Sequence, residues 1–216
     1  MRARRPFCWL APHILHASWL SLTPMAIRSR LRTFLPACAQ VLIQSGGNVN
    51  ERQGTGLVAP IHLAAEQGKL AVVQFLIENG AKASVADANG WTPLHFCAAG
   101  GTPQHAAIAS LVIDADADVA VDARTSSSLT PLHIAAQHAE SVNLVQMLVR
   151  HGANINARDD KGNAPIHWAA RKGRVHCAYS LIKCGANASA QNHQGWNALH
   201  AAAHEGARSR SVVTLL

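Results

Sequence analysis

The stretch Ala164-Pro-Ile-His-Trp-Ala-Ala-Arg-Lys-Gly-Arg174 sets one imidazole, His167, in a short apolar run beside three cationic side chains. Those are the groups of a general base next to an anion-binding edge. His200-Ala-Ala-Ala-His204 carries two imidazoles at i and i+4, a spacing that can chelate a metal ion, but no third ligand is fixed nearby in the sequence. His13/His16 and His133/His138 are weaker pairs of the same kind. Five cysteines (Cys8, Cys38, Cys97, Cys177 and Cys184) stand at irregular spacings with no Cys-x-x-Cys pair, and read as reduced thiols in an intracellular protein. None has an identifiable base, and Cys97 occupies a position suited to a small packing residue. Phosphate-loop, nucleophile-elbow and zinc-protease motifs are absent. The expectation is a chain with no catalytic residue, no resident metal, no cofactor and no small-molecule substrate.

The chemistry of His167 changes meaning once the chain is laid against itself. Ala59-Pro-Ile-His62, Thr92-Pro-Leu-His95, Thr130-Pro-Leu-His133, Ala164-Pro-Ile-His167 and Asn197-Ala-Leu-His200 begin at intervals of 33, 38, 34 and 33 residues. A second landmark follows the first four: Ile77-Glu-Asn-Gly-Ala, Ile113-Asp-Ala-Asp-Ala, Val149-Arg-His-Gly-Ala and Ile182-Lys-Cys-Gly-Ala. Each unit therefore reads as two short helices and a turn. Thr before Pro is a helix start, because the hydroxyl can accept from an orphan N–H and Pro loses no bond at the first helical position. Alanine pairs such as Ala64-Ala65 and Ala169-Ala170 allow close helix approach, while Val72, Val73, Leu76 and Ile77 give the second helix its apolar spacing. Gly80, Gly152 and Gly185 close those second helices.

These residues resemble the ankyrin repeat family, whose Thr-Pro-Leu-His-x-Ala-Ala signature and Gly-Ala-Asn turn are nearly all present across residues 36–216. The resemblance implies an all-α solenoid of stacked helix-turn-helix units with projecting β-hairpin loops, acting as a protein-binding adaptor or scaffold. It also implies a structural role for His62, His95, His133, His167 and His200, tying neighbouring loops together. Partners of the family are met by hairpin tips and the solvent-facing end of the first helix. On this chain those positions are Glu66, Gln67, Asn89 and Trp91 in the first unit, Leu129 in the second, and Gln137, His138, Asp160, Lys161 and Asn163 in the third. In the last two they are Arg171, Lys172, His193, Gln194 and Trp196, then His204 and Glu205. The bland alternatives are that Trp91 and Trp196 only cover their neighbouring loops and that Arg171 and Lys172 are a solvated face.

The expected division is a basic extension or targeting segment at 1–22, a degenerate capping repeat at 23–58, and repeats at 59–91, 92–129, 130–163, 164–196 and 197–216, the last incomplete. Departures from the repeat mark its soft places. Ala59 and Ala164 lose the capping hydroxyl, typically about 1 kcal/mol per helix. The longer unit carries three extra residues around Gly100-Gly-Thr-Pro-Gln-His105 and puts Asp116 where Gly is expected, so its inter-helix loop should be the most mobile. The chain stops at Leu216, halfway through a second helix, which suggests either a shortened sequence or an apolar edge that seeks a partner.

Net charge is +7, yet it is unevenly spread. Residues 1–50 hold six arginines and no acid, and the remaining 13 Lys and Arg almost balance 12 acids. Nucleic-acid binding is therefore confined to the Arg-rich start, and predicts a salt dependence that vanishes when residues 1–35 are removed. That start also has the composition of a mitochondrial transit peptide, a weaker likeness to a signal peptide, or an unstructured extension. Asn187-Ala-Ser189 is a formal glycosylation sequon that matters only in a secretory compartment. No run is apolar enough for a membrane span, and the expected compartment is the cytoplasm or nucleus, with mitochondrial import the alternative.

Overall fold

A computed structural model describes residues 43, 45–115, 119–138 and 141–205. The expected targeting segment, most of the capping repeat, Asp116 and residues 206–216 lie outside them. The helices are α1 (Pro60–Glu66), α2 (Leu70–Glu78), α3 (Pro93–Gly100), α4 (Pro103–Ala115) and α5 (Pro131–Ala135), followed by α6 (Val142–Arg150), α7 (Pro165–Arg171), α8 (Val175–Lys183) and α9 (Ala198–Glu205). Among the described residues there is no named strand, and only one isolated bridge, Gln53 with Val58. None of these helices is long and apolar enough to cross a membrane.

Two layers result from the two kinds of helix. First helices stack on one another in the order α1, α3, α5, α7, α9, and second helices stack as α2, α4, α6, α8. The first layer can pack closely because its facing residues are small: Ala65, Ala98, Ala135, Ala136, Ala169, Ala170 and Ala202 are fully buried. Between the layers sit Ile61, Leu94, Leu132 and Ile166 from first helices, with Val73, Ile108, Leu144, Leu148 and Leu181 from second helices. Each such side chain contributes about 1.5–3 kcal/mol by burial.

The hairpins between units are closed by one backbone bond each, Asp87 N to Trp91 O, Thr125 N to Leu129 O, Asp159 N to Asn163 O and Asn192 N to Trp196 O, at 2.8–3.0 Å. Neighbouring tips are then tied in series: Ala88 N donates to Gly56 O, Ser126 N to Asn89 O, Asp160 N to Ser127 O and His193 N to Lys161 O. Arginine side chains add a second tie. Arg52 reaches Ala86 O at 2.7 Å, Arg124 reaches Arg158 O at 2.8 Å, and Arg158 reaches Gln191 O at 2.6 Å. The loops are thus held by hydrogen bonds to the next unit rather than by a core of their own, a ladder of near neighbours as expected of a solenoid.

Two local expectations are corrected. The cap at the helix starts does not depend on the threonine hydroxyl, because it also forms at Ala59 and Ala164, which have none. Instead the Nδ1 of the motif histidine accepts the N–H of the residue three before it, at 2.9 Å for Ala59 and 3.1 Å for Thr92, Thr130 and Ala164. Thr92 and Thr130 donate their hydroxyls to that same Nδ1 at 2.9 Å. Ala59 and Ala164 therefore keep the cap and lack only one O–H···N bond. Thr130→Ala should cost about 1 kcal/mol in urea unfolding, and an unchanged midpoint would remove the hydroxyl from the cap.

The extra residues of the long unit form helix, not loop: α4 runs 13 residues against 9 for α2, α6 and α8. Thr102-Pro-Gln-His105 repeats the helix-start motif at the head of a second helix. His105 is 7% exposed, with its Nδ1 2.6 Å from Thr102 Oγ1 and its Nε2 3.0 Å from Glu66 O of the preceding unit.

Candidate functional site

The histidines come first, because they decide whether the sequence's most reactive groups are available. His62, His95, His133 and His167 are at most 2% exposed. Each Nδ1 faces a backbone N–H, which can only donate, so Nδ1 carries no proton. Each Nε2 therefore holds the hydrogen and donates it to a carbonyl of the following hairpin: Val85, Leu129, Asn163 and Trp196, at 3.0–3.1 Å. The backbone fixes the neutral ring in one tautomer. Burial, the largest cause, lowers the pKa of all four, that of His95 to about 4. His200 is different: it is exposed, and its Nδ1 lies 2.7 Å from Asn197 Oδ1.

The cysteines are equally committed. Cys97 and Cys177 are fully buried, and burial pushes their thiols up to about 12 and about 11; Cys184 is exposed. At neutral pH the two buried sulfurs are protonated and unreactive. Cys177 donates to His138 O at 3.1 Å. Among the described residues no group of three His, Cys, Asp or Glu side chains could hold a metal ion.

The sequence-derived surface positions divide into two groups. In the first three units Glu66, Gln67 and Asn89 are exposed. Trp91 is half-buried, its ring centroid 5.2 Å from that of Phe96 and 5.9 Å from that of His95. Leu129, Gln137 and His138 are half-buried too. Gln137 O accepts from Arg174 at 2.7 Å, and its side chain donates to His133 O. These residues are spread along the stack.

Around the last two described hairpins the fold brings such positions together. Hairpin tips 160–163 and 192–196 and helices α7 and α9 enclose a cleft of about 520 Å³. Asp160, Lys161, Asn163, Arg171, His193, Gln194, Trp196 and His204 all line it, and Lys172 lies exposed beside Arg171. Glu205 is the last residue of α9.

Asp159 builds one wall. It is 7% exposed, and its Oδ1 accepts the backbone N–H of Lys161 at 2.9 Å and of Asn163 at 2.8 Å, which shapes the tip. Its Oδ2 accepts the Trp168 indole N–H at 3.0 Å. Arg171 then sits over the Trp168 ring, 5.5 Å from its centroid, within cation–π range. Asn192 does the corresponding work on the other tip, accepting from Gln194 N and Trp196 N at 2.9 Å and donating to Asn163 Oδ1 at 2.8 Å. Trp196 packs against His204, ring centroids 4.9 Å apart. Trp168 was not among the positions expected to face a partner. Its signal was available: the residue after the motif histidine is Leu63, Phe96, Ile134, Trp168 and Ala201 in turn, and only the indole has both an aromatic face and a donor to fix it.

The family model for ankyrin repeats matches this chain in three overlapping copies, at residues 27–123, 61–159 and 132–216. Human Inversin is 31% identical over 133 residues, covering 62% of this chain and 12% of that protein. Palmitoyltransferase AKR1 of Lachancea kluyveri is 31% identical over 134 residues, again 62% of this chain and 18% of the relative. Human Neurogenic locus notch homolog protein 1 is 34% identical over 144 residues, 66% of this chain and 5% of the relative. The matched segment thus spans less than a fifth of the length of each of these curated relatives.

Proposed function

We propose that this chain, which belongs to the ankyrin repeat family and is built as a protein-interaction module, works as a non-catalytic adaptor that meets its protein partner through the cleft between its last two described hairpins. The observation that carries this reading is the convergence there of Trp168, Trp196, Lys161 and Arg171 on a backbone frame held by Asp159 and Asn192. Aromatic rings and arginine are the side chains that most often anchor interfaces. A non-catalytic role is supported by the commitment of both ring nitrogens of four motif histidines to the backbone, which leaves them no lone pair for base catalysis. Trp91, Gln137 and His138 are read as covering and bracing their own units, while Glu66, Gln67, Asn89 and Leu129 form an outlying part of the same face. The division into units at 59–91, 92–129, 130–163, 164–196 and 197–216, and a cytoplasmic or nuclear compartment, belong to the same proposal.

A photo-crosslinking amino acid placed at Lys172 on the cleft rim, and separately at Lys183 at the end of α8, tests it in cells. Adducts with another protein are expected from position 172 and not from 183. Equal adducts from both, or adducts from 183 alone, would contradict the reading. A second reading is favoured by the similarity to a palmitoyltransferase: the array recruits substrate for a larger enzyme of which this chain is a piece. Transcript sequence past the codon for Leu216 distinguishes the two.

A further inference from the structure

We propose that the hairpin tip 125–129 is a phosphorylation site, with the Ser127 hydroxyl as the acceptor for a Ser/Thr protein kinase that selects arginine three residues before its target. Arg124-Thr-Ser-Ser127 has that spacing, and Arg124, Ser126 and Ser127 are all exposed. Among the described residues, the bonds that close the tip leave the Ser127 hydroxyl out. Thr125 Oγ1 accepts from Ser127 N at 3.3 Å and from Leu129 N at 3.1 Å, and Thr125 N donates to Leu129 O at 3.0 Å. Phosphoryl transfer forms the Ser127 Oγ–P bond and breaks the bond from the γ-phosphorus of ATP to its bridging oxygen. ADP leaves, and the hydroxyl proton goes to the kinase's catalytic carboxylate.

A kinase needs its acceptor segment extended, so the tip must open locally, and this tip is built to open more readily than its counterparts. The tips 87–91, 159–163 and 192–196 place Gly90, Gly162 and Gly195 at their left-handed position, φ 74–78°, whereas this one places Ser128 there at φ 56°. A residue with a Cβ is disfavoured in that conformation. The tie to the next tip, Asp160 N to Ser127 O, is the longest of the four such ties, at 3.4 Å against 2.8–3.0 Å for the others. Arg52-Gln-Gly-Thr55 carries the same spacing in the first described hairpin, where Leu57 is also left-handed at φ 51°. There, however, Gln53 and Val58 exchange both backbone bonds at 3.1 Å, so Thr55 sits in the tighter frame and is not the acceptor. On Ser127 the phosphate adds a charge of about −1.5 to −2 at pH 7 beside Asp160, an exposed acid that lines the cleft.

The test incubates the full chain with a purified, constitutively active kinase of that selectivity and Mg-ATP, and maps the phosphate by mass spectrometry. Modification of Ser127 is expected, and its loss in Ser127→Ala. Arg124→Ala should slow the modification about tenfold, although it also removes the brace to Arg158 O and so loosens the tip; a purely structural role for Arg124 would speed it. Ser128→Gly should slow it about threefold, because glycine relieves the left-handed strain and closes the tip while leaving Arg124 and Ser127 in place. Melting curves show whether each variant folds; if Arg124→Ala does not, Arg124→Gln carries the comparison. Phosphate absent from Ser127, or shared equally with Ser126 or Thr55, would overturn the proposal. So would a rate that Arg124→Ala or Ser128→Gly leaves unchanged or raises.

Discussion

Lowering the pH from 7.5 towards 4.5 is expected to melt this protein progressively, with loss of stability beginning near pH 6.5. Four buried histidines, His62, His95, His133 and His167, function only as neutral rings, because Nδ1 must accept a backbone N–H while Nε2 donates to the next hairpin. A proton on Nδ1 would set two donors against each other in a buried site. Burial lowers the folded-state pKa of each, and that of His95 reaches about 4, while a histidine in the unfolded chain titrates near 6.5. Between those limits the unfolded state binds more protons than the folded state. The stabilisation is therefore complete above about pH 6.5 and is lost as pH falls towards the folded values. Each histidine removes up to about 1.4 kcal/mol per pH unit between the unfolded value and its own folded value. All four act in the same direction, against a total stability of about 5–15 kcal/mol. Thermal melts at pH 7.5, 6.5, 5.5 and 4.5 check this; a Tm that stays flat between 7.5 and 5 would show that the ties are not proton-sensitive. Removing one tie at neutral pH, as in His133→Ala, should cost about 1–3 kcal/mol and should also make the acid slope shallower.

Gly100→Ala should be the second large effect, and its sign should depend on a single other residue. A Cβ at Gly100 would collide with the ring of His105, and one at Gly68, φ +65°, would lie 3.2 Å from the same ring. The two glycines make the slot in which His105 sits, bonded to Thr102 and Glu66 O. Expelling that ring drives a buried side chain into solvent and breaks its bonds to Thr102 Oγ1 and Glu66 O, at a cost of about 1–3 kcal/mol, which outweighs the roughly 1 kcal/mol that Ala gains over Gly in a helix. In a His105→Ala background the slot is empty, and Gly100→Ala should become neutral or stabilising. Urea unfolding of the four proteins of this cycle is the measurement; additive effects would mean that Gly100 and His105 do not share the slot.

The period of the Thr-Pro-x-His motif made the fold legible, since a helix start every 33 to 38 residues admits few architectures. The structural use of His95 and His133 was legible for the same reason: a catalytic group has no cause to recur in every unit. What the spacing concealed was chemistry that depends on register between units. Arg52, Arg124 and Arg158 reach carbonyls 33 or 34 residues away, and a list of charged residues cannot tell such a brace from a solvated arginine. His105 escaped notice because its Thr-Pro-x-His motif falls on a second helix, out of phase with the others. Trp168 joined the cleft only when Asp159, nine residues earlier, was seen to hold its indole. The cleft positions themselves were named from family resemblance one at a time; that eight of them line one cavity follows from the stacking of tips 160–163 and 192–196.

The most direct test of the central claim, that this cleft is the partner-facing surface, is the indole N–H spectrum of the ¹⁵N-labelled chain titrated with the protein recovered by crosslinking at position 172. Trp168 and Trp196 line the cleft, while Trp91 is packed on Phe96 in an earlier unit. The account predicts that the Trp168 and Trp196 signals shift together and saturate, with Trp91 unmoved. A shift of Trp91 with the other two unchanged would contradict it.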